Sequence, residues 1–151
     1  TVTPFAVPHD SSDCVGYCVQ YEGITFTLVT DCGHVTEEIC AFVAKANYLV
    51  IEANHEVEKL MAGPYPLYLK ERITSQIGHL SNAECARTIV ENATENLKHV
   101  WLCHLSDENN HPELARIAVT SLMESYGLRA GVDFIVEVLR RKIPSEIYDL
   151  K

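Results

Sequence analysis

The sequence has no run of about 18 consecutive apolar residues, the length a membrane-crossing helix requires. Its opening, Thr1-Val2-Thr3-Pro4-Phe5, lacks a basic segment followed by an apolar one, so it does not read as a secretory leader. No starting Met is present, and the expectation is that the chain begins partway through a longer product. Basic residues are the minority: 12 Lys and Arg against 21 Asp and Glu give a net charge of −9, which argues against a generic polyanion-binding face. A nucleic-acid substrate stays open, because bound divalent ions bring their own positive charge to a phosphate. None of Cys14, Cys18, Cys32, Cys40, Cys85 and Cys103 forms a C-x-x-C pair. That disfavours both a structural zinc site and a disulfide framework, and the cysteines read as small buried hydrophobes in a reducing cytoplasm. Internal repeats, low-complexity tracts and Ser/Gly linkers are absent.

What is there is ordinary for one globular unit: 151 residues, 47 % hydrophobic and 22 % charged. A chain of this length buries roughly two-thirds of its unfolded surface. Strand and helix patterns alternate, which predicts an α/β layer architecture. Gly16–Tyr21 and Ile24–Thr30 read as a hairpin about Glu22-Gly23. Thr36-Glu37-Glu38 opens a helix reaching about Ala46, with acids where the helix dipole favours them. Tyr48-Leu49-Val50-Ile51 and Val100-Trp101-Leu102-Cys103 are continuous apolar runs, the pattern of buried strands. Between them a short helix covers Glu56 to Met61, another runs from Pro66 to about Gln76, and Ser81-x-x-Glu84 is a capping box for a helix ending near Ala93. Asn110, Pro112 and Glu113 open a helix that stops at Tyr126-Gly127, and Val132 to Leu139 is the last predicted strand.

The informative feature is where the polar residues fall. Thr27-Leu28-Val29-Thr30 runs into Asp31, Leu49-Val50-Ile51 into Glu52-Ala53-Asn54-His55, Trp101-Leu102-Cys103 into His104, and Val7-Pro8 precedes His9-Asp10. In open α/β sheets, sites form where loops converge at the carboxyl ends of strands. Imidazole nitrogens and carboxylate oxygens there are the usual hydrolytic ligands of zinc-like ions, and one carboxylate can bridge two of them. Each residue also has a plainer reading. A lone His after a strand is more often simply packed, and Asp31 can cap the turn at Cys32-Gly33. His34, His99 and His111 take the plainer reading, as turn, strand start and helix start.

These residues together match a pattern. Pro8-His9-Asp10, Thr30-Asp31, Glu52-Ala53-Asn54-His55, Gly78-His79-Leu80-Ser81-Asn82 and His104-Leu105-Ser106 resemble the YycJ-type (WalJ) branch of the metallo-β-lactamase superfamily. The most specific stretches are Gly63-Pro64-Tyr65-Pro66, Lys70-x-Arg72-Ile73 and Cys103 to Asn110. The resemblance implies an αββα sandwich with two metals between its sheets, and phosphodiester cleavage of the DNA-exonuclease kind in the cytoplasm. It implies that His9, Asp31 and His104 are metal ligands, with Asp31 bridging. His79 lies where nuclease relatives place a proton donor or phosphate contact, and His55, Ser81 and Asn54 are candidate substrate contacts. The ions would be Zn, Mn or Fe.

The family's first ligand motif, H-x-H-x-D-H, is absent from residues 1–151. Three ligands cannot hold two ions well. The expectation is therefore the C-terminal half of a metallo-β-lactamase domain, inactive alone, whose activity needs the missing N-terminal half. An uncovered apolar sheet face is expected to drive self-association. Alternative functions are hydrolysis of small thioesters or amides, and a non-catalytic interaction module.

Overall fold

The structure, a computed structural model, describes all of residues 1–151. Glu22 and Gly23 both adopt positive φ, 47° and 80°, as a two-residue type I′ turn requires, and its twist suits a right-twisted strand pair. The turn joins β2 (Val15–Tyr21) to β3 (Ile24–Val29) in antiparallel register, Tyr21 facing Ile24. β1 (Val2–Ala6) pairs with the other side of β2. The residue pattern does not announce β1, because Pro4 demotes a strand; it is tolerated here because β1 is an edge.

From β3 onward the sheet is parallel. β4 (Tyr48–Glu52), β5 (His99–Cys103) and β6 (Ile135–Val138) complete a six-stranded sheet whose strands lie in chain order. Parallel neighbours need crossovers, and crossovers are right-handed. Because the strands advance in one direction, the crossover helices α1 (Glu37–Lys45), α4 (Asn82–Asn92) and α5 (Pro112–Ser125) belong on one face, and α4 packs against both others. The short helices α2 (Val57–Ala62) and α3 (Leu67–Thr74) fall between β4 and α4, and α3 buries none of its residues.

Local chemistry fixes the helix ends. The Thr36 hydroxyl accepts the Ile39 amide at 3.2 Å, and Ser81 and Glu84 form the reciprocal capping box. α3 stops at Thr74, short of Gln76, because the chain folds back: His79 N–H donates to the Ile73 carbonyl at 2.9 Å. Only glycine fits at 78, where a Cβ would lie 2.2 Å from the Ile73 oxygen. β6 starts at Ile135 rather than Val132, because a turn consumes 129–133, with the Asp133 carboxylate accepting the Arg129 amide at 2.6 Å.

The core lies between sheet and helices. Val29, Leu49, Ile51, Val100 and Leu102 meet Ile39, Val43, Ile89, Val119 and Met123, all essentially without exposed surface. Each such side chain contributes about 1.5–3 kcal/mol by burial. The opposite face carries the alternate residues, among them Val15, Tyr17, Phe26, Leu28, Val50 and Trp101. The C-terminal tail crosses part of it. Tyr148 packs edge-on against Trp101 with centroids 4.8 Å apart, its hydroxyl donates to Glu137 at 2.7 Å, and the Tyr48 hydroxyl donates to the Lys151 carbonyl at 2.9 Å. The uncovered apolar face expected from the sequence is thus partly closed by the chain's own end. No helix is long and apolar enough to cross a membrane.

Candidate metal centre

Three adjacent parallel strands deliver their ends to one place. Asp31 follows β3, Glu52 ends β4 and His104 follows β5. Neighbouring strands are about 4.8 Å apart, so groups at the same height on three of them fall within one ion's reach. His79 enters from the loop before α4. One ligand atom each of Asp31, Glu52, His79 and His104 lies within 4.8 Å of all the others. The backbone is strained at two of these positions: Asp31 and His104 have φ of 53° and 56°. Left-handed conformations cost non-glycine residues roughly 1–2 kcal/mol each, and they cluster where side-chain direction matters more than local comfort.

Glu52 is the hub. It has no exposed surface. Its Oε1 accepts from Nδ1 of His104 at 2.5 Å and from Nδ1 of His79 at 2.8 Å, while Oε2 accepts the amides of Cys32 at 3.0 Å and Leu80 at 3.3 Å. Burial alone would raise its pKa; the two imidazoles and the Cys32 amide override burial and hold it down at about 2. The hydrogen bond to Glu52 in turn raises the pKa of His104, against the opposing effect of burial. Because both Nδ1 atoms are spent on a carboxylate, both rings keep their Nε2 lone pairs when neutral.

The sequence-predicted ligands are placed as follows. Asp31 Oδ1 is 3.5 Å from His104 Nδ1 and 3.9 Å from His79 Nδ1. His9 stands one ring farther out, its centroid 5.0 Å from that of His79, with His79 in turn 5.1 Å from His104. Its Nδ1 bonds the Gly78 carbonyl at 2.9 Å, and its Nε2 lies 3.3 Å from the Asp10 carboxylate. The convergent groups are two imidazoles and two carboxylates, Asp31, Glu52, His79 and His104, a donor set that suits a zinc-like divalent ion; His9 lies outside that group.

The predicted substrate contacts divide. Asn54 lines the cleft beside His79 and His104, and its Nδ2 donates to the His104 carbonyl at 2.9 Å. His55 and Ser81 turn inward instead. His55 is 2 % exposed, and burial lowers its pKa to about 4, so it is a neutral core imidazole. Ser81 spends its hydroxyl on the α4 cap. Both belong to the framework rather than to the cleft wall.

Sequence reasoning names Glu52 only as a neighbour of His55 and misses it as the hub. The available signal is an acid closing a wholly apolar strand. It also misses the amides behind the loops: Asn82 and Asn110 bond each other at 2.8 and 2.9 Å, and Asn110 donates to the Ala53 carbonyl at 2.9 Å. All six cysteines are free. Burial pushes the Cys32 and Cys103 thiols up to about 12, so neither offers a thiolate to the centre. His34, His99 and His111 sit in a loop, at the first residue of β5 and at the α5 cap.

The profile of the beta-lactamase superfamily domain matches residues 1–104, from β1 through His104. The chain belongs to the metallo-β-lactamase superfamily. It is similar to "Exodeoxyribonuclease YycJ" of Bacillus anthracis, 36 % identical over 146 residues, which is 97 % of this chain and 55 % of that protein. It is also similar to "Exodeoxyribonuclease WalJ" of Streptococcus pneumoniae, 38 % identical over 135 residues, covering 89 % of this chain and 50 % of that one. The chain thus spans about half the length of the curated relatives it matches. Among solved structures, the metallo-β-lactamase fold protein YhfI of Bacillus subtilis superposes with a TM-score of 0.63 at 16 % identity, covering 92 % of this chain and 46 % of that one. In this superfamily frame, one sheet with one helical layer is half of an αββα sandwich.

Proposed function

We propose that residues 1–151 form the C-terminal half of a cytoplasmic, metal-dependent phosphodiesterase acting on nucleic acid, with the H-x-H-x-D-H ligands supplied by an N-terminal half outside this span. The observation that carries the reading is the convergence of Asp31, Glu52, His79 and His104 at three adjacent strand ends. The exonuclease names of the two bacterial relatives support the substrate class.

His9, Asp31 and His104 would hold the divalent ions, two of them in the complete protein. When bound, the ions supply Lewis-acid charge at the phosphoryl group and a water acidified toward neutral pH. His79 is the proton carrier. Glu52 holds its Nδ1 at 2.8 Å and fixes the ring's orientation, leaving Nε2 to serve the leaving oxygen in the cleft. Asn54 holds the His104 loop in place through the carbonyl of that residue.

The test uses the full-length protein. His104→Ala and Asp31→Ala should each lower phosphodiesterase turnover by roughly a hundredfold or more, and His79→Ala should lower kcat by roughly 10²–10⁴-fold. Wild-type turnover in either ligand variant would sink the assignment. Faster turnover of a thioester than of a phosphodiester by the unaltered protein would move it to the small-substrate branch.

A further inference from the structure

The cleft in front of the centre is about 280 Å³ and is lined by His79 and His104 together with Arg72, Arg141 and Tyr65. That is the low end of the ~300–1,000 Å³ that small-molecule sites occupy, room for about one nucleotide. The two arginines differ. Arg72 is bound through Nε to the Asp10 carboxylate, so its charge is already matched. Arg141 belongs to the run Arg140-Arg141-Lys142, and none of these three cations forms a salt bridge or a side-chain hydrogen bond. In a chain of net charge −9, three unpaired cations in sequence are out of keeping with the rest of the surface.

Their position gives that excess a direction. Arg141 lines the catalytic cleft, and the same residue with Arg140 and Lys142 lines a second, adjoining groove that shares Leu105 and Ser106 with the first. The groove does contain acids, Asp107 and Glu113, but Glu113 is occupied by Arg116 at 2.8 Å. The charge of Arg141 is among those felt at His104. One continuous track therefore leads from the metal-ligand candidates to exposed, unneutralised positive charge. A substrate with one phosphate needs no such track; a polymer with a phosphate at each step does.

We propose that Arg141 is a phosphate clamp for a polynucleotide strand: it holds a backbone phosphate next to the one presented to His79 and His104, and Arg140 and Lys142 guide the strand onward along the adjoining groove. Tyr65, on the cleft wall, offers a face for the terminal base. This rests on the phosphodiesterase reading and adds to it the residues that make the substrate a strand rather than a single diester. Arg141 is a positioning residue; its guanidinium fork suits a phosphate better than an ammonium does.

The experiment is fluorescence anisotropy on the full-length protein, with a short labelled DNA that has a single-stranded overhang and cleavage-resistant phosphorothioate links. Arg141→Ala should weaken binding roughly tenfold and lower the slope of log affinity against log salt by about one. Arg141→Lys should restore the salt slope and only part of the affinity. Tyr65→Ala should weaken binding about tenfold with the salt slope unchanged, and Tyr65→Phe should not. Unchanged affinity and slope in Arg141→Ala, or no binding by the unaltered protein, would overturn the clamp. Hydrolysis of bis(p-nitrophenyl) phosphate by the unaltered protein, measured alongside, tests the chemistry separately: no hydrolysis with Arg141-dependent binding intact would sink the phosphodiesterase reading and leave the clamp standing.

Discussion

On the helix side of the sheet Leu49, Ile51, Val100 and Leu102 have no exposed surface, whereas on the other side Val15, Tyr17 and Tyr21 keep 39 %, 41 % and 71 % of theirs. The same strands build both faces, so the difference is in what covers them. Right-handed crossovers put every packing helix on one side. The other side has only the C-terminal tail, and the tail reaches Trp101 and His99 but not the β1–β2 hairpin. Strand alternation also places Glu52 on the tail side, in line with Tyr48 and Val50. The candidate centre therefore opens on the face the helices leave free. A face that carries a site has to stay accessible, and in this chain that same face is apolar enough to need a cover.

The widest separation between the faces is in stability. Leu102→Ala removes a side chain with no exposed surface and should cost about 2–5 kcal/mol by urea denaturation. Leu28→Ala, on the half-buried opposite face, should cost well under half of that. Equal losses would show that the two faces are equally closed. Next comes the seam where the faces meet at Glu52. Its pKa is depressed from 4.5 to about 2, so its contribution is present above pH 4.5 and disappears as pH falls through about 2. Glu52→Gln, neutral in both folded and unfolded states, should be less stable than the parent by on the order of 3 kcal/mol above that window. The two should converge near pH 2; a pH-independent difference would mean that packing, not charge, is what Glu52 supplies. The smallest effect belongs to the open hairpin. Val15→Ser with Tyr17→Ser should change stability by no more than about 0.5 kcal/mol. In residues 1–151, which we propose self-associate through this face, the pair should turn the assembly into monomer on a sizing column. A monomeric parent at micromolar concentration would remove that proposal.

Much of the layout is legible in residue order. The I′ turn at Glu22-Gly23, the caps at Thr36 and Ser81, and the continuous apolar strands at Tyr48 and Val100 are written in neighbouring residues, because turns, caps and strand burial are local or periodic effects. The candidate centre is legible in part for the same reason: Asp31 and His104 each follow an apolar run, and sheet topology carries such ends to one edge. What is not legible depends on partners distant in the chain. Glu52 is an ordinary strand-end acid until His79 and His104 arrive from 27 and 52 residues away. Ser81 shares a motif with His79 and His55 closes the one that begins at Glu52, and only burial separates these framework residues from the one that faces the cleft.

The sequence by itself determined the alternation of elements, the sites of their ends and the family, since periodicity and capping act over a few residues and the motifs are contiguous. The tertiary structure alone decided that one carboxylate would hold two imidazoles, that the tail would shield Trp101, and that Arg141 would arrive unpaired beside His104. Those outcomes are set by which remote groups the sheet brings within hydrogen-bonding or Coulombic range, and by how much water is left between them.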